Sequence, residues 1–181
     1  GKERFIDMKF ANGVPHVERI APKPNADDRT PVPESLRKGA LDLTSAIVAI
    51  VTRLDTGAPC QSAVPVFDGR RRFDLITTPD GTDMLKANRY SPFAGPTTRC
   101  TVSIDKKAGF KQTEREGWND PGRQAKVWMG KPFEEVPPVP VRLTFDTPVG
   151  GLIAHLNHAT FQEGRQKAEL SYGNLRRAGF N

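Results

Sequence analysis

The chain has 181 residues, of which 36% are hydrophobic, and this suits one domain with a modest core. Its 27 Lys and Arg outnumber its 21 Asp and Glu, and the net charge of +6 is compatible with an acidic partner. The longest apolar run, residues 46–51, is far shorter than the roughly 20 residues that cross a membrane, so no transmembrane segment is predicted. Sixteen Gly and sixteen Pro favour many short elements joined by turns and argue against a helix bundle.

The N-terminal residues predict a β-hairpin. Residues 4–10 alternate like a strand, and the side chains expected to face the core are those of Ile6, Met8 and Phe10. Asn12-Gly13 is a residue pair typical of a type I′ turn, so the chain is expected to return as a second strand. Gly1 is not a natural start, and we expect upstream residues, including a signal sequence.

One substantial helix is predicted over residues 42–55. The carboxylate of Asp42 can cap its N-terminus, and Gly57 ends the helical pattern. Apolar residues recur at helical spacing and are expected to pack on a sheet; they are Leu43, Ala46, Ile47, Ile50, Val51 and Leu54. The connection before it, residues 21–33, contains four prolines and is expected to be irregular and exposed.

Residues 64–75 predict the hairpin around which the chain is organised. Asp68-Gly69 suits the two central positions of a type I′ turn, which would pair Phe67 with Arg70. In that register Arg70, Arg72 and Asp74 share one face. The opposite, apolar face contains Phe73 and, near the strand end, Arg71.

The arginine run, residues 70–72, is the densest basic cluster. It is a candidate for a structural or an interaction role together with Asp68, Gly69 and Asp74. An arginine on a buried face is costly unless its charge is paired, so Arg71 is expected to reach an acidic partner or a carbonyl cluster at the sheet rim. Asp68 and Asp74 are local partners for its neighbours. Arg71→Ala is therefore expected to lower stability and Arg72→Ala is not. Two alternatives remain, namely that the run binds an anionic partner or that its side chains form a solvated face.

Beyond the hairpin, residues 78–81 are expected to form a turn. Four further strands are predicted at residues 98–104, 124–129, 141–147 and 152–156. In the third of these, Val141 faces inward and Arg142 outward. The domain is expected to comprise residues 1–158. Residues 159–181 form a polar, basic C-terminal tail, either a loose helix or a disordered segment.

The two cysteines flank the central hairpin. Their spacing favours a Cys60–Cys100 disulfide, and the alternative is two buried thiols in a cytosolic protein. A stable disulfide would mean an oxidising compartment. The only close histidine pair, His155 and His158, would face opposite sides of a strand, so no metal site is predicted. No phosphate-binding loop, hydrolase elbow or zinc-protease motif occurs, and neither an enzyme nor a cofactor is predicted.

Several strings of residues follow one another in a characteristic order. They are Asp28-Arg-Thr-Pro-Val-Pro-Glu34, Gly39-Ala-Leu-Asp-Leu-Thr-Ser-Ala46, Cys60, Pro65-Val-Phe-Asp-Gly-Arg-Arg-Arg-Phe-Asp-Leu75, Arg99-Cys100, Val139-Pro-Val-Arg-Leu143 and Thr147-Pro-Val-Gly150. Over residues 5–156 the chain resembles domain-of-unknown-function family 3108, exported envelope proteins of Gram-negative bacteria, typical of alphaproteobacteria. The string at residues 65–75 is the most specific part of this resemblance.

The resemblance implies export to the periplasm, a β-rich curved sheet and the pairing of Cys60 with Cys100. It implies no reaction. Family members have further β-hairpins upstream of the segment that begins here at Phe5, and the tail after His158 has no counterpart in the resemblance.

The expected fold is therefore α+β and β-dominated, with a curved, mostly antiparallel sheet or open half-barrel and one main helix packed on it. The first functional hypothesis is a non-enzymatic periplasmic envelope protein that binds a lipid-like or other apolar ligand in the concave face of the sheet. The second is a structural or interaction protein that binds an acidic envelope polymer or protein through a basic surface. The third is an enzyme of unknown class. Nucleic acid is not an expected partner.

Overall fold

The structure is a computed structural model that describes residues 3, 5–23, 31–111, 124–147 and 150–171. Strands dominate the described residues, which confirms the predicted β-dominated α+β fold. The elements are β1 (Phe5–Ala11), β2 (Val14–Ala21), α1 (Glu34–Arg37), α2 (Leu43–Asp55), β3 (Ser62–Phe67), β4 (Arg72–Leu85), β5 (Gly95–Ala108), β6 (Ala125–Gly130), β7 (Val139–Thr147), β8 (Gly150–His155), β9 (His158–Glu163) and β10 (Gln166–Ser171).

The described strands form three sheets, and none of them closes into a barrel. β1 pairs with β2, β9 pairs with β10, and the largest sheet has the order β3-β4-β5-β6-β7-β8. Its strands β5 to β8 pair antiparallel. The chain divides into two compact units. The first comprises Gly1–Ile50, Ser62–Ile76 and Ser103–Asp120, and the second comprises Val51–Gln61, Thr77–Val102 and Pro121–Asn181.

In the first unit, the predicted N-terminal hairpin is present. Both turn residues have positive φ, 52° at Asn12 and 73° at Gly13, as a type I′ turn requires. The prediction that the alternating apolar residues of β1 all face the core is wrong, because Ile6 is 39% and Phe10 44% exposed. Among the described strands β1 pairs with β2 alone, so a two-stranded sheet leaves these side chains in contact with solvent.

Helix α2 begins as predicted. Asp42 caps it, since its Oδ1 accepts a hydrogen bond from the Ser45 backbone N–H at 3.0 Å. The hydrogen bonds from Ser45 hold the pKa of Asp42 below its usual value. The predicted buried stripe is partly wrong, because Leu43 and Ile47 are exposed. The buried residue of the first turns is Ala46. Successive residues lie about 100° apart around a helix, so Ile47, the next residue, points away from the buried side.

The central hairpin closes one residue later than predicted. The Asp68 backbone N–H donates to the Arg71 carbonyl at 3.2 Å, whereas the sequence favoured closure by Phe67 and Arg70. Among the turn residues only Gly69 has positive φ, 86°, so the turn is not of type I′. The Asp68 carboxylate organises the turn by accepting backbone hydrogen bonds from Arg70 (3.0 Å) and Arg71 (2.7 Å). Hydrogen bonds to the Asp68 side chain therefore stabilise this turn, in place of the type I′ backbone conformation that was predicted.

In the second unit, two predictions about local structure are wrong. Residues 78–81 do not form a turn, because they lie within strand β4. The segment predicted as a loose helix or disordered tail forms the β9–β10 hairpin, with Phe161 opposite Ala168, while residues 172–181 lie outside the described part of the chain. Strands 98–104, 124–129 and 141–147 were predicted close to their observed places.

The second unit has a hydrophobic cluster on each side of its strands. One contains Cys60, Cys100 and Met129, with Val51, Leu54 and Val127 packed against it. The other contains Phe93, Trp128 and Val141, with Leu85, Val139, Leu156 and Leu170 packed against it. Because neighbouring residues of a regular strand face opposite sides, Trp128 belongs to one cluster and Val127 and Met129 to the other. The register shift between β6 and β7 leaves Val141 as an extra residue beside Arg142, so both can lie next to Trp128.

Cys60 and Cys100 form a disulfide, with their Cα atoms 6.0 Å apart, and the predicted pairing is confirmed.

Candidate anion-binding site

A row of cationic and aromatic side chains crosses the large sheet within the second unit. Arg99 of β5 lies opposite Trp128 of β6, Trp128 lies opposite Arg142 of β7, and Arg142 lies opposite His155 of β8. Directly opposite residues share one face, with Cβ atoms about 5 Å apart. The four residues therefore form one continuous line, here called the cation–aromatic row.

The Arg99 end of the row is neutralised by carboxylates. Arg99 donates to Asp83 Oδ2 at 2.6 Å and to Asp80 Oδ2 at 2.9 Å. Lys126, two residues before Trp128, also contacts Asp80 Oδ2, at 3.0 Å. The hydrogen bond from Lys126, with the charges of Lys126 and Arg99, holds the pKa of Asp80 below its usual value.

An irregularity in β4 allows two aspartates to reach the same arginine. Residues three apart on a regular strand face opposite sides, yet both Asp80 and Asp83 contact Arg99. Gly81 between them has a φ of 107°, which interrupts the regular alternation and which L-residues with side chains rarely adopt. Arg99 also donates to the Asp80 carbonyl, at 2.7 Å from Nη2. The residues predicted as a turn thus form a carboxylate-bearing kink inside a strand.

Trp128 links the two arginines of the row. Its side chain is buried, and its Nε1–H donates to Asp83 Oδ2 at 2.6 Å. The guanidinium Cζ of Arg142 lies 4.7 Å from the ring centroid and that of Arg99 lies 5.9 Å away. Cations at these distances from an indole ring are attracted to it. The indole is therefore fixed by a hydrogen bond at its edge and by contacts with both guanidinium groups.

The Arg142 end of the row has no carboxylate in the described part of the chain. Arg142 has no ion pair there, and its buried Nε has no hydrogen-bond partner among the described residues. Burial, and then the positive charge of Arg142, lower the pKa of His155 below its usual 6.5. The imidazole is therefore mostly neutral at pH 7 and adds little positive charge beside Arg142, whose own charge no described carboxylate compensates.

A loop between β4 and β5 extends the row beyond His155. The Tyr90 ring stacks on the His155 ring, with centroids 5.8 Å apart and an interplanar angle of 16°. The guanidinium of Arg89 lies 4.6 Å from the Tyr90 centroid. Ser91 Oγ donates to the Leu156 carbonyl at 2.7 Å and ties this loop to the residue that follows β8. Arg89, like Arg142, contacts an aromatic ring and no described carboxylate.

The charges of the row are therefore unevenly distributed. The two carboxylates contact Arg99 and Lys126, whereas Arg142 and Arg89 have an aromatic ring and no acid beside them. Guanidinium groups bind oxyanions through strong, charge-assisted hydrogen bonds. The Arg142 end is suited to hold an external anion.

The arginine run predicted from the sequence lies in the first unit and bonds to the chain itself. Arg70 Nη2 donates to the Pro22 carbonyl. Arg71 forms a two-point contact with Asp68, at 2.8 Å from Nε and 2.7 Å from Nη2. Arg72 donates to Asp74 at 2.6 Å and to the Leu36 carbonyl at 2.9 Å. The run, Asp68 and Asp74 thus support the turn and its surroundings.

The expected roles of two arginines are reversed in the structure. The side chain of Arg72 is only 11% exposed, whereas that of Arg71 is 42% exposed. The faces of β4 are as predicted, because Phe73 and Leu75 are buried. Arg71 precedes the strand and bonds to Asp68 of the turn at the surface. Arg72 lies on the other face, where Asp74 and the Leu36 carbonyl cover its guanidinium. Arg71 does reach an acidic partner, as expected, but it does so at the surface.

Sequence reasoning missed the cation–aromatic row. It placed Arg142 on the outward face, recorded Trp128 in a strand and weighed His155 only as a metal ligand. The available signal was a polar or aromatic residue at one alternation position in each of four successive strands. These residues can be recognised as one row only when the register of the four strands is known. The described residues contain no group of three His, Cys, Asp or Glu side chains that could hold a metal ion.

A comparison with family models matches residues 1–157 to a family described as "Protein of unknown function (DUF3108)". The resemblance drawn from the sequence is thereby confirmed. Neither a curated protein nor a solved structure matches the chain. None of the described helices is both long and apolar enough to cross a membrane.

Proposed function

Because the chain belongs to the DUF3108 family, whose function is unknown, we propose a role from the site itself. We propose that the protein is a non-enzymatic, exported protein of the bacterial cell envelope that binds an acidic envelope component through a basic surface. One observation carries the proposal: Arg142, partly buried on the cation–aromatic row, has no acidic partner among the described residues.

The energetic argument concerns an uncompensated charge. A partly buried cation without a counter-ion loses hydration and gains nothing in return except its contact with Trp128. An anion at this position would restore both a charge partner and hydrogen bonds. The opposite end of the row shows the satisfied arrangement, where Asp80 and Asp83 surround Arg99. Binding of an acidic component would complete at Arg142 what the chain provides at Arg99.

Export to the periplasm is the part of the proposal supported by the disulfide. Bonded Cys60 and Cys100 fit an oxidising compartment, since disulfides rarely persist in a reducing cytosol. Fractionation of cells that express the gene at its native level tests this. We expect the protein in the periplasmic fraction without free thiols, and recovery of a reduced protein from the cytosol would contradict export.

Binding to purified acidic polymers tests the function. We expect the protein to bind polyphosphate or polygalacturonate at low salt, with neutral dextran as the uncharged control. Binding should weaken strongly at about 1 M salt, where the screening length falls to about 3 Å. Failure to bind either polymer, or binding that is indifferent to salt, would contradict the proposal.

The hypothesis of a lipid-like or other apolar ligand in a concave sheet face stays a prediction. Native mass spectrometry of protein purified from its own periplasm tests it. A co-purifying neutral lipid would favour that hypothesis over the acidic component, and a co-purifying anion would favour the proposal made here.

A further inference from the structure

We infer that the Arg142 end of the cation–aromatic row is a phosphate-binding site formed by Arg142, His155, Tyr90 and Arg89. This inference rests on the proposed function and deepens it, because it names the chemical group on the acidic component that the chain recognises. The four residues are linked by successive contacts, from the β7–β8 pair of Arg142 and His155, through the stacked rings of His155 and Tyr90, to Arg89 over the Tyr90 ring.

The donor set fits a phosphate better than a carboxylate. Each guanidinium offers several N–H donors and one positive charge, a neutral imidazole offers one N–H, and a phenol offers one O–H. A phosphate monoester has three acceptor oxygens and between one and two negative charges near neutral pH. Arg142, with Arg89 as a second cation beyond the His155–Tyr90 stack, supplies positive charge without a described acidic partner, and a phosphate carries more negative charge than a carboxylate.

Arg142 is held in place before any ligand arrives. Its guanidinium lies over Trp128, and the indole is fixed by its hydrogen bond to Asp83. The partly buried position of Arg142, with its Nε shielded from solvent, further restricts the side chain. A cation held in this way loses less conformational entropy on binding than a mobile surface lysine does. Such a site discriminates between anions by geometry as well as by charge.

Titration of the whole chain with inorganic phosphate at neutral pH and low salt tests the site. Acetate at the same ionic strength is the carboxylate comparison. The variants are Arg142→Gln, Arg89→Gln and Lys167→Gln. Each removes one positive charge, and Lys167 is an exposed residue of β10 that serves as the matched control. Vesicles of phosphatidylglycerol, compared with phosphatidylcholine, show whether a lipid headgroup is a source of the phosphate.

We expect saturable phosphate binding by the natural chain and weaker binding of acetate. Arg142→Gln should weaken phosphate binding by roughly tenfold or more, the effect of losing one charge-assisted contact. Arg89→Gln should weaken it severalfold, and Lys167→Gln by less than about twofold. Because Arg89 is exposed, its variant keeps the test decisive if Arg142→Gln does not fold.

Three results would overturn the inference: no saturable binding of phosphate, acetate binding as tight as phosphate binding, or equal losses in all three variants. Failure of the proposed function looks different. If Arg142→Gln binds acidic polymers as the natural chain does, the site is wrong and the function stands. If the natural chain binds no acidic polymer, the function itself fails.

Discussion

At the scale of single residues, the arginines that stand out in the sequence are not the arginine that is available to a ligand. The three consecutive arginines 70–72 are the densest basic cluster, yet each donates to a carbonyl or carboxylate of the chain. Arg142 is inconspicuous in the sequence, and it lacks a described acidic partner. A basic residue is available to a ligand only when the fold has not already satisfied it.

Replacing Gly69 with valine should destabilise the protein by about 1–3 kcal/mol. Gly69 has a φ of 86°, which a β-branched residue tolerates poorly, and an added Cβ would lie 2.5 Å from Ile6 Cγ2. Chemical denaturation measures the loss. The control is Gly151→Val, where the nearest atom to an added Cβ, Asp146 Oδ1, is 3.5 Å away. Equal midpoints for the two variants would show that the turn does not depend on glycine.

Arg72→Ala should cost more stability than Arg71→Ala, the reverse of what the sequence suggested. Removing Arg72 leaves Asp74 with only its longer contact to Lys107, at 3.4 Å, and frees the Leu36 carbonyl, at a cost of about 2 kcal/mol. Arg71 is far more exposed, so its loss should cost no more than about 1 kcal/mol. Thermal and chemical unfolding of both variants decide the order, and a larger loss for Arg71→Ala would contradict the observed burial.

At the scale of elements, the sequence predicted what depends on local chemistry. The Asp42-capped helix, the Asn12-Gly13 turn and the alternating strand that contains Trp128 follow from capping, turn propensity and period-two patterning. Residues 78–81 and 158–171 were misassigned because their structure depends on pairing partners. A Pro-Asp-Gly string is a turn signal, but hydrogen bonds from Arg99 hold Asp80 within a strand.

The disulfide should contribute to stability, because it links the connection between α2 and β3, which contains Cys60, to strand β5. Cys60 and Cys100 are 40 positions apart, and closing a loop of that size in the unfolded chain stabilises the native state by roughly 4 kcal/mol on the chain-entropy account. Thiol titration of the unfolded, oxidised protein should detect no free thiol. The double variant Cys60→Ala, Cys100→Ala should unfold at lower denaturant. Two reactive thiols in protein from an oxidising compartment would refute the bridge.

At the scale of the whole molecule, the stabilising contributions of four groups with shifted pKa values should all be present between about pH 6.5 and pH 10.5. His155 has a folded pKa below 6.5, so the unfolded chain takes up its proton first and stability falls as the pH drops below 6.5. Asp42 and Asp80 have folded pKa values below 3.8, which adds a further loss below that pH. Hydrogen bonding to Asp105 raises the pKa of Lys107 above 10.5, so its contribution disappears as the pH rises beyond that value.

Denaturation midpoints across this range test the profile. Because glutamine does not titrate, the His155→Gln variant should not lose stability as the pH falls below 6.5. It should still lose stability below pH 3.8, where the aspartates become protonated. An unchanged profile in this variant would show that His155 is not the group responsible.

The fold class and the candidate site differ in how far the sequence predicts them. Composition and the alternation of apolar and polar residues suffice to predict a β-dominated chain, because this alternation is a local pattern of the sequence. The cation–aromatic row depends on which residue lies opposite which across three strand pairs. Register depends on the assembled sheet, and the one-residue shift at Asp68 shows how readily local turn rules misplace it.

The row also limits how related chains can diverge in length. Arg99 and Cys100 are consecutive, so β5 presents the cation–aromatic row on one face and the disulfide on the other. Inserting or deleting a single residue within β6 would carry Trp128 to the disulfide side and bring an aliphatic neighbour into the row. Over evolutionary time, a connection such as residues 131–138 between β6 and β7 can therefore lengthen, while strands β5 to β8 can accept substitutions but not single-residue insertions.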